Sequence, residues 1–499
     1  MRDGCGIDYN PDGDKYLGEF KNGKLEGFGV YYYSNGRRYE GEIKNGKKEG
    51  FGIDYYPDGS RYEGGYKDNL REGYGLLYYL DGRFEGNYKN DLRDGFGIIY
   101  YLNGNMYEGE FKNDLREGYG MLYYSNGNRY EGEFKNDIIE GYGVFYYSNG
   151  LRYEGQFKNY YFEGSGIFYY VDGIYQGEFK NGLREGFGII YNSNGGRYEG
   201  EYKNDLRDGY GKIYYSNGDR YEGEFKNNVK DGLGIFDHPD GYKFLGEFKN
   251  NVIEGYGVLY FSNGRYEGEF KNNKFEGYGI YYYSNGLRYE GEFKNNLKEG
   301  FGIFYYIDGI YQGEFRNNLK EGFGIIYYLN GNRYVGEFKN DVKEGYGKFY
   351  YFDGDKYEGE FKDDVKEGYG IDYYSNGGKY EGEFKNDIIE CYGILYLSNG
   401  DKYKGEFKDY SSEGYGKYYF INGDRYEGTF INGIFNGYGI FYSTLGIKYE
   451  SYFKCGIYSW ILFKIYKILS FLNHLKEILI NNKITLLFII ILIIGIILN

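Results

Sequence analysis

Tyr107-Glu108-Gly109-Glu110-Phe111-Lys112-Asn113-Asp114-Leu115-Arg116-Glu117-Gly118-Tyr119-Gly120-Met121-Leu122-Tyr123-Tyr124-Ser125-Asn126-Gly127-Asn128-Arg129 is one complete unit of a pattern that fills most of the chain. In its first part Tyr107, Gly109 and Phe111 alternate with Glu108, Glu110 and Lys112. A period of two predicts a strand with one aromatic and one charged face. Asn126-Gly127 favours the positive φ of a tight turn, and Lys112 to Leu115 predicts a second reversal. Between the two reversals Gly118 and Gly120 flank Tyr119. Glycine weakens a strand, so its recurrence needs a reason. The expectation is that it makes room, with an aromatic ring from a neighbouring strand lying across the missing side chains.

The leading aromatic returns at 16, 39, 62, 84, 107, 130, 153, 175, 198, 221, 244, 266, 289, 311, 334, 357, 380, 403, 426 and 449, twenty starts separated by fifteen intervals of 23 residues and four of 22. The short copies lose their residue beside the late glycine, as in Gly82-Arg83-Phe84. A deletion inside a paired strand would turn every later side chain to the other face, whereas a turn absorbs it. A half-copy occupies residues 1–15 and the repeats run over 16–456. The predicted fold is all-β: stacked hairpins in an elongated, twisted, single-layer antiparallel sheet, each unit touching mainly its neighbours. No second layer is encoded, so the tyrosine-rich face is expected to curl into a groove, with each ring buried and its hydroxyl wet.

Composition supports this reading. Of 499 residues, 87 are Gly, 74 Tyr and 39 Phe, with only 3 Pro and 1 Trp. The aromatic residues can bury area, which argues against disorder. The net charge of −15 comes from acidic and basic residues that alternate closely, leaving no basic block for nucleic acid. Cys5, Cys391 and Cys455 are too few and too far apart for a disulfide framework, which fits a reducing compartment. The first residues lack the apolar core of a signal peptide, so the repeats are expected to face the cytosol.

The Tyr-x-Gly-x-aromatic start, the central Gly-aromatic-Gly and the late turn glycine resemble the MORN (membrane occupation and recognition nexus) repeat, over about residues 4–456. Three features depart from that pattern. The fifth position is Phe or Tyr, Ile43 in one copy, rather than Trp; almost always Glu or Asp precedes the central glycine where His is frequent; and Cys391 replaces one central glycine. The resemblance implies a scaffold or protein-binding module, in some members acting at membranes. The acidic balance argues against direct phospholipid binding by the repeats, because anionic headgroups attract Lys and Arg.

After Cys455 the composition changes. Residues 457–483 are apolar with a polar line at helical spacing, which predicts an amphipathic juxtamembrane helix or a second hydrophobic one. Residues 484–499 follow, with Ile484, Leu486, Leu487, Phe488, Ile489, Leu492, Ile496 and Leu498 in a stretch free of charge. The fifteen residues from Ile484 to Leu498 fall short of the ~20 that usually span a bilayer, and snorkelling and local thinning can make up the difference. The segment is expected to be a C-terminal transmembrane anchor. Lys464, Lys467, Lys476 and Lys483 all precede it, the arrangement of a cytosolic array; the endoplasmic reticulum is the working choice of membrane. This layout is similar to that of the junctophilins.

The enzymatic signals fail. His238 lies in a turn variant and His474 in the tail, too few for a triad or a zinc site, so neither catalytic residues nor cofactor nor metal is expected. Candidate partner contacts are Tyr160, Tyr161 and Phe162, three aromatics in a reversal that is otherwise polar, and the general groove represented by Tyr119 and its equivalents. Packing between neighbouring loops explains the aromatic triplet equally well. Unpaired edge strands offer a route to a homodimer. The sequence therefore reads as a non-enzymatic scaffold or membrane tether. The rivals are a soluble cytoskeletal or organelle scaffold whose tail docks to a protein, and a regulatory subunit that holds an enzyme.

Overall fold

The computed structural model describes residues 2–446, 448–454, 468–469 and 471–472. The expected anchor at 484–499 and Lys464, Lys467, Lys476 and Lys483 lie outside the described residues. In the tail, residues 468, 469, 471 and 472 are helical. Among the described residues no helix is long and apolar enough to cross a membrane.

Forty strands run from Gly4–Tyr9 to Lys448–Phe453, and the chain divides into two compact units, Met1–Gly255 and Tyr256–Asn499. In each unit the strands pair antiparallel with their sequence neighbours, hairpin after hairpin. In the first unit, Met106–Lys112 sets Gly109 opposite Gly120 of Leu115–Tyr123, and Gly120 faces Gly132 of Arg129–Lys135. In the second, Gly313 faces Gly324, Gly324 faces Gly336 and Gly336 faces Gly347. A seam of glycines thus crosses the strands.

The tyrosine that opens each copy lies on this seam. Tyr107 has no exposed surface, and a Cβ on Gly120 would stand 2.5 Å from its hydroxyl. The expected ring over a neighbouring strand is present, and the glycines supply its floor. The hydroxyl is not wet, however. It is buried and donates to the Glu110 carbonyl at 3.0 Å. With no second layer to rise into, the ring lies along the sheet, and the nearest acceptor there is backbone. Phe111 and Phe134 meet Tyr107 edge-on, with centroids 5.2 and 5.0 Å away. The same edge-to-face alternation recurs at Tyr311, Phe315 and Phe338 of the second unit. This is the geometry that ring quadrupoles favour, and the core of each unit is a zipper of rings one layer thick.

The two reversals differ from their sequence reading. The doubly positive turn is the central one, with Asn113 at φ 49° and Asp114 at φ 67°. In the late loop only Gly127 is left-handed, at φ 87°, and the Asn126 side chain accepts the Asn128 amide at 3.0 Å. The short copies tighten this loop and keep register: Leu77 faces Phe84 as Leu122 faces Tyr130. Gly118 is also needed for a reason other than ring space. It sits at φ 72° beside a bulge between Gly109 and Phe111, and the Glu110 carboxylate lies against it. Cys391 holds the same left-handed conformation, φ 62°, without being glycine.

Candidate interaction surface

Each unit offers two chemically different faces. On the ring face, Arg116 lies over Tyr107 and Phe134 at 5.4 and 5.2 Å. Its Nε reaches the Asp137 carboxylate at 3.1 Å, and the same carboxylate accepts the Arg116 amide at 2.9 Å. The central loop of one copy therefore clamps the preceding copy. Arg71 with Asp91, Arg93 with Asp114 and Arg184 with Asp205 repeat the clamp.

Where the loop residue is Asn, the cation has no carboxylate in the clamp. Lys298 faces Asn318, which only accepts its backbone amide. Burial pushes the Lys298 amine down to about 8, opposed in part by Asp341. A lysine whose folded value lies below its unfolded one disfavours folding while it is charged, and that penalty lifts as pH rises from about 8 toward 10.5. Thermal unfolding should show the second unit gaining stability over this window, with Lys298→Met reducing the gain and raising stability at pH 7. An unchanged pH profile in the variant would refute this assignment.

The aromatic triplet divides into different roles. Phe162 takes the place of the clamp arginine and stacks on Tyr153 at 3.8 Å, so it belongs to the ring core. Tyr160 is half exposed, occupies the left-handed loop position at φ 68° and donates to the Asp137 carbonyl at 2.7 Å. Tyr161 is 57% exposed. Loop-to-loop packing accounts for Phe162 and the Tyr160 hydroxyl, while the faces of Tyr160 and Tyr161 remain open. Tyr410 repeats the Tyr160 arrangement, with its hydroxyl on the Asp387 carbonyl at 2.8 Å.

Tyr119 is not on the face of the buried tyrosines. It is 51% exposed on the opposite side, because the strand alternation that sends Gly120 and Leu122 to the ring face sends Tyr119 and Met121 outward. Its hydroxyl donates to Glu131 at 2.9 Å, and Glu133 is its register partner. Arg129 pairs with Glu131 at 3.4 Å and lies over Tyr146 at 4.4 Å. Equivalent exposed rings include Phe96 and Phe187 in the first unit and Tyr278, Phe323 and Tyr369 in the second. In most copies the outer face thus carries one open ring, with the Arg and one Glu neutralising each other and a second Glu left free.

Buried charges escaped the sequence reading: Asp54 and Asp372 with their partners Lys48 and Lys366, and Asp401 and Asp424. Asp54 has no exposed surface and accepts from Arg37, Lys48 and Tyr66 at 2.5–2.9 Å. Asp372 accepts from Lys366 at 2.7 Å. The signal was Ile-Asp-Tyr at 53–55 and 371–373, where the copy at 121–123 has Met-Leu-Tyr. His238 stands 3.4 Å from Asp219, and its Nδ1 accepts the Asp240 amide at 3.2 Å. Among the described residues no three His, Cys, Asp or Glu side chains form a metal-binding group.

No curated protein matches the chain. Among solved structures, the SAS-4 TCP domain of Drosophila melanogaster is 17% identical over 34% of this chain and 79% of that one, with a TM-score of 0.16. A streptogramin B lyase is 14% identical over 57% and 89%, with a TM-score of 0.11. A catalytically inactive virginiamycin B lyase from Staphylococcus aureus is 13% identical over 62% and 92%, also at 0.11. None of the three informs the fold or the function of this chain. The model of the MORN repeat, by contrast, matches nineteen consecutive segments, beginning at 16–37, 39–61 and 62–82 and ending at 426–444. The glycine seam, the buried leading tyrosine and the left-handed turns recur along those segments, and the chain belongs to the MORN repeat family.

Proposed function

We propose that this MORN array is a non-enzymatic scaffold that presents one docking face many times over. We further propose that its C-terminal segment holds it on a membrane, where the array recruits protein partners or reaches an opposing membrane. The observation that carries the scaffold reading is the outer row of half-exposed rings, Tyr119 and its equivalents, in constant register. Repetition of an open aromatic in most copies suits extended partners, which exposed aromatic anchors bind well.

The membrane part rests on the charge-free run from Ile484 to Leu498 and on the four lysines that precede it. Alkaline carbonate extraction tests it. The full-length protein should stay with the membrane pellet, and deletion of 457–499 should move it to the supernatant. Release of the intact chain by carbonate would remove the anchor and favour a tail that docks to a protein.

A further inference from the structure

The outer face of the second unit alternates two chemistries along a line across the strands. Six rings, from Tyr278 through Phe301, Phe323, Tyr346 and Tyr369 to Tyr392, are each 51–55% exposed. Their register partners are Glu292, Glu314, Glu337, Glu360, Glu383 and Glu406 in turn, all exposed. The Cys391 thiol hydrogen-bonds Glu383. The other five carboxylates take no side-chain donor in the structure, unlike the Glu290 and Glu358 row, which is occupied by Arg288 and Lys356. The line therefore reads ring, carboxylate, ring, carboxylate, and the exposed Lys294, Arg316, Lys339, Lys362, Lys385 and Lys408, two residues farther along the same strands, form no ion pair with it among the described residues. In the first unit the pattern is broken: Gly65 and Asn87 stand where the carboxylate belongs, Gln156 replaces another, and Ser165 replaces a ring. The second unit holds the long uninterrupted run.

The spacing selects the occupant. Neighbouring strands lie about 4.8 Å apart, so one copy advances about 9.6 Å. A cation above a carboxylate would then have a ring about 5 Å away on either side, inside the ~6 Å reach of a cation–π contact. A polyproline II helix rises about 3.1 Å per residue and returns to the same face every three residues, about 9.3 Å. A β-strand would not match, because its side chains alternate and every third residue points to the opposite side. We propose that the row from Tyr278 to Glu406 binds a polyproline II segment carrying Lys or Arg at every third residue, each cation seated on one carboxylate between two rings. This deepens the scaffold reading by naming a partner class, and it rests on that reading.

The test uses the full-length chain in detergent micelles and fluorescence anisotropy near physiological salt. Three 18-residue probes are compared: (Pro-Pro-Lys)6, a peptide with its twelve prolines followed by its six lysines, and (Pro-Pro-Glu)6. The periodic basic peptide should bind at least tenfold more tightly than the block peptide, and the acidic one should not bind. Glu337→Gln with Glu360→Gln, both exposed, should weaken the periodic peptide at least fivefold while circular dichroism stays unchanged. The same pair of changes at Glu110 and Glu133 of the first unit should have little effect. Equal binding of the block peptide would overturn the proposal, since general attraction to a chain of net charge −15 would then suffice. Unchanged affinity in the Glu337/Glu360 variant, or no binding of the periodic peptide, would overturn it as well. A chain retained by membranes after carbonate that ignores the periodic peptide keeps the membrane-anchored array of the proposed function and loses this inference.

Discussion

Tyr130→Ala is expected to destabilise its part of the array by about 3–5 kcal/mol, the cost of removing a buried aromatic side chain. Tyr130 is fully buried, lies on the floor formed by Gly132 and Gly143, and meets Phe134 and Phe157 edge-on at 5.3 and 5.0 Å. A one-layer core has no facing sheet to collapse into the space, so relaxation recovers little. Because each copy is supported mainly by its neighbours, the loss should also weaken the coupling across residues 107–157. Tyr130→Phe is the control. Phe84 and Phe244 occupy the same place, both fully buried, so phenylalanine fits. What it removes is the hydroxyl donated to the Glu133 carbonyl at 3.0 Å, a bond worth about 0.5–1.5 kcal/mol. Denaturant unfolding combined with hydrogen–deuterium exchange reads both effects. An alanine variant no less stable than the phenylalanine variant would show that the ring zipper does not hold the array together.

Asp54→Ala is expected to cost a similar ~3–5 kcal/mol, because it strands a buried cation. Lys48 is 6% exposed, its Nζ is 2.5 Å from Asp54, and the Tyr33, Tyr39 and Tyr66 rings surround it. The double change Lys48→Ile with Asp54→Leu should instead recover most of that loss, with Arg37, a third exposed, turning to solvent and the Tyr66 hydroxyl left without its acceptor. Ile389 and Leu395 already hold the equivalent places in another copy, facing Phe384 and Tyr380 as Lys48 and Asp54 face Ile43 and Tyr39. A double variant as unstable as the single one would refute the stranded-charge account.

Asp54 and Asp372 should also respond oppositely to acid. Burial pushes Asp54 up, but the Arg37 hydrogen bond and the Lys48 charge outweigh it and hold the carboxyl below its usual value. Its stabilisation is therefore present above pH 3.8 and lost as pH falls through the depressed value. Asp372 has Lys366 alone, with Asp355 and Asp387 nearby, and burial leaves it raised. Its copy should gain relative stability as pH falls from that raised value toward 3.8. Exchange protection of Lys47–Tyr55 and Val365–Tyr373, corrected for intrinsic rates, separates the two responses.

Much of this was legible in the residues because a 22–23-residue repeat states each rule some twenty times. The alternation from Tyr107 to Lys112 marked the strand and its faces. The missing residue at Gly82-Arg83-Phe84 marked a turn, and register survives there because the loop shortens while the paired residues do not move. The glycine pair, however, was given one reason where there are two. A missing side chain does not say whether space or a left-handed φ is needed, so Gly120 and Gly118 look alike until the ring and the bulge are seen. Tyr119 was grouped with Tyr107 as a groove residue, although the two face opposite ways. The bulge between Gly109 and Phe111 moves the pairing by two residues and keeps the alternation, so Tyr119, next to Gly120, points away from the rings; this shows only once Gly120 is paired with Gly109.

The linear order of residues was enough to specify an all-β hairpin array of the MORN family, because periodicity and turn chemistry are local and repeated. Packing across copies was decided only in three dimensions. Residues about twenty positions apart, such as Arg116 with Asp137 and Asp14 with Ser34, meet because hairpins stack. The neutralised arginine–glutamate row and the free glutamate row also share one strand and one alternation. Glu131 takes Arg129 from its own strand and the Tyr119 hydroxyl from the adjacent one, whereas Glu133, two residues on, takes neither, and that difference is visible only once the strands are paired.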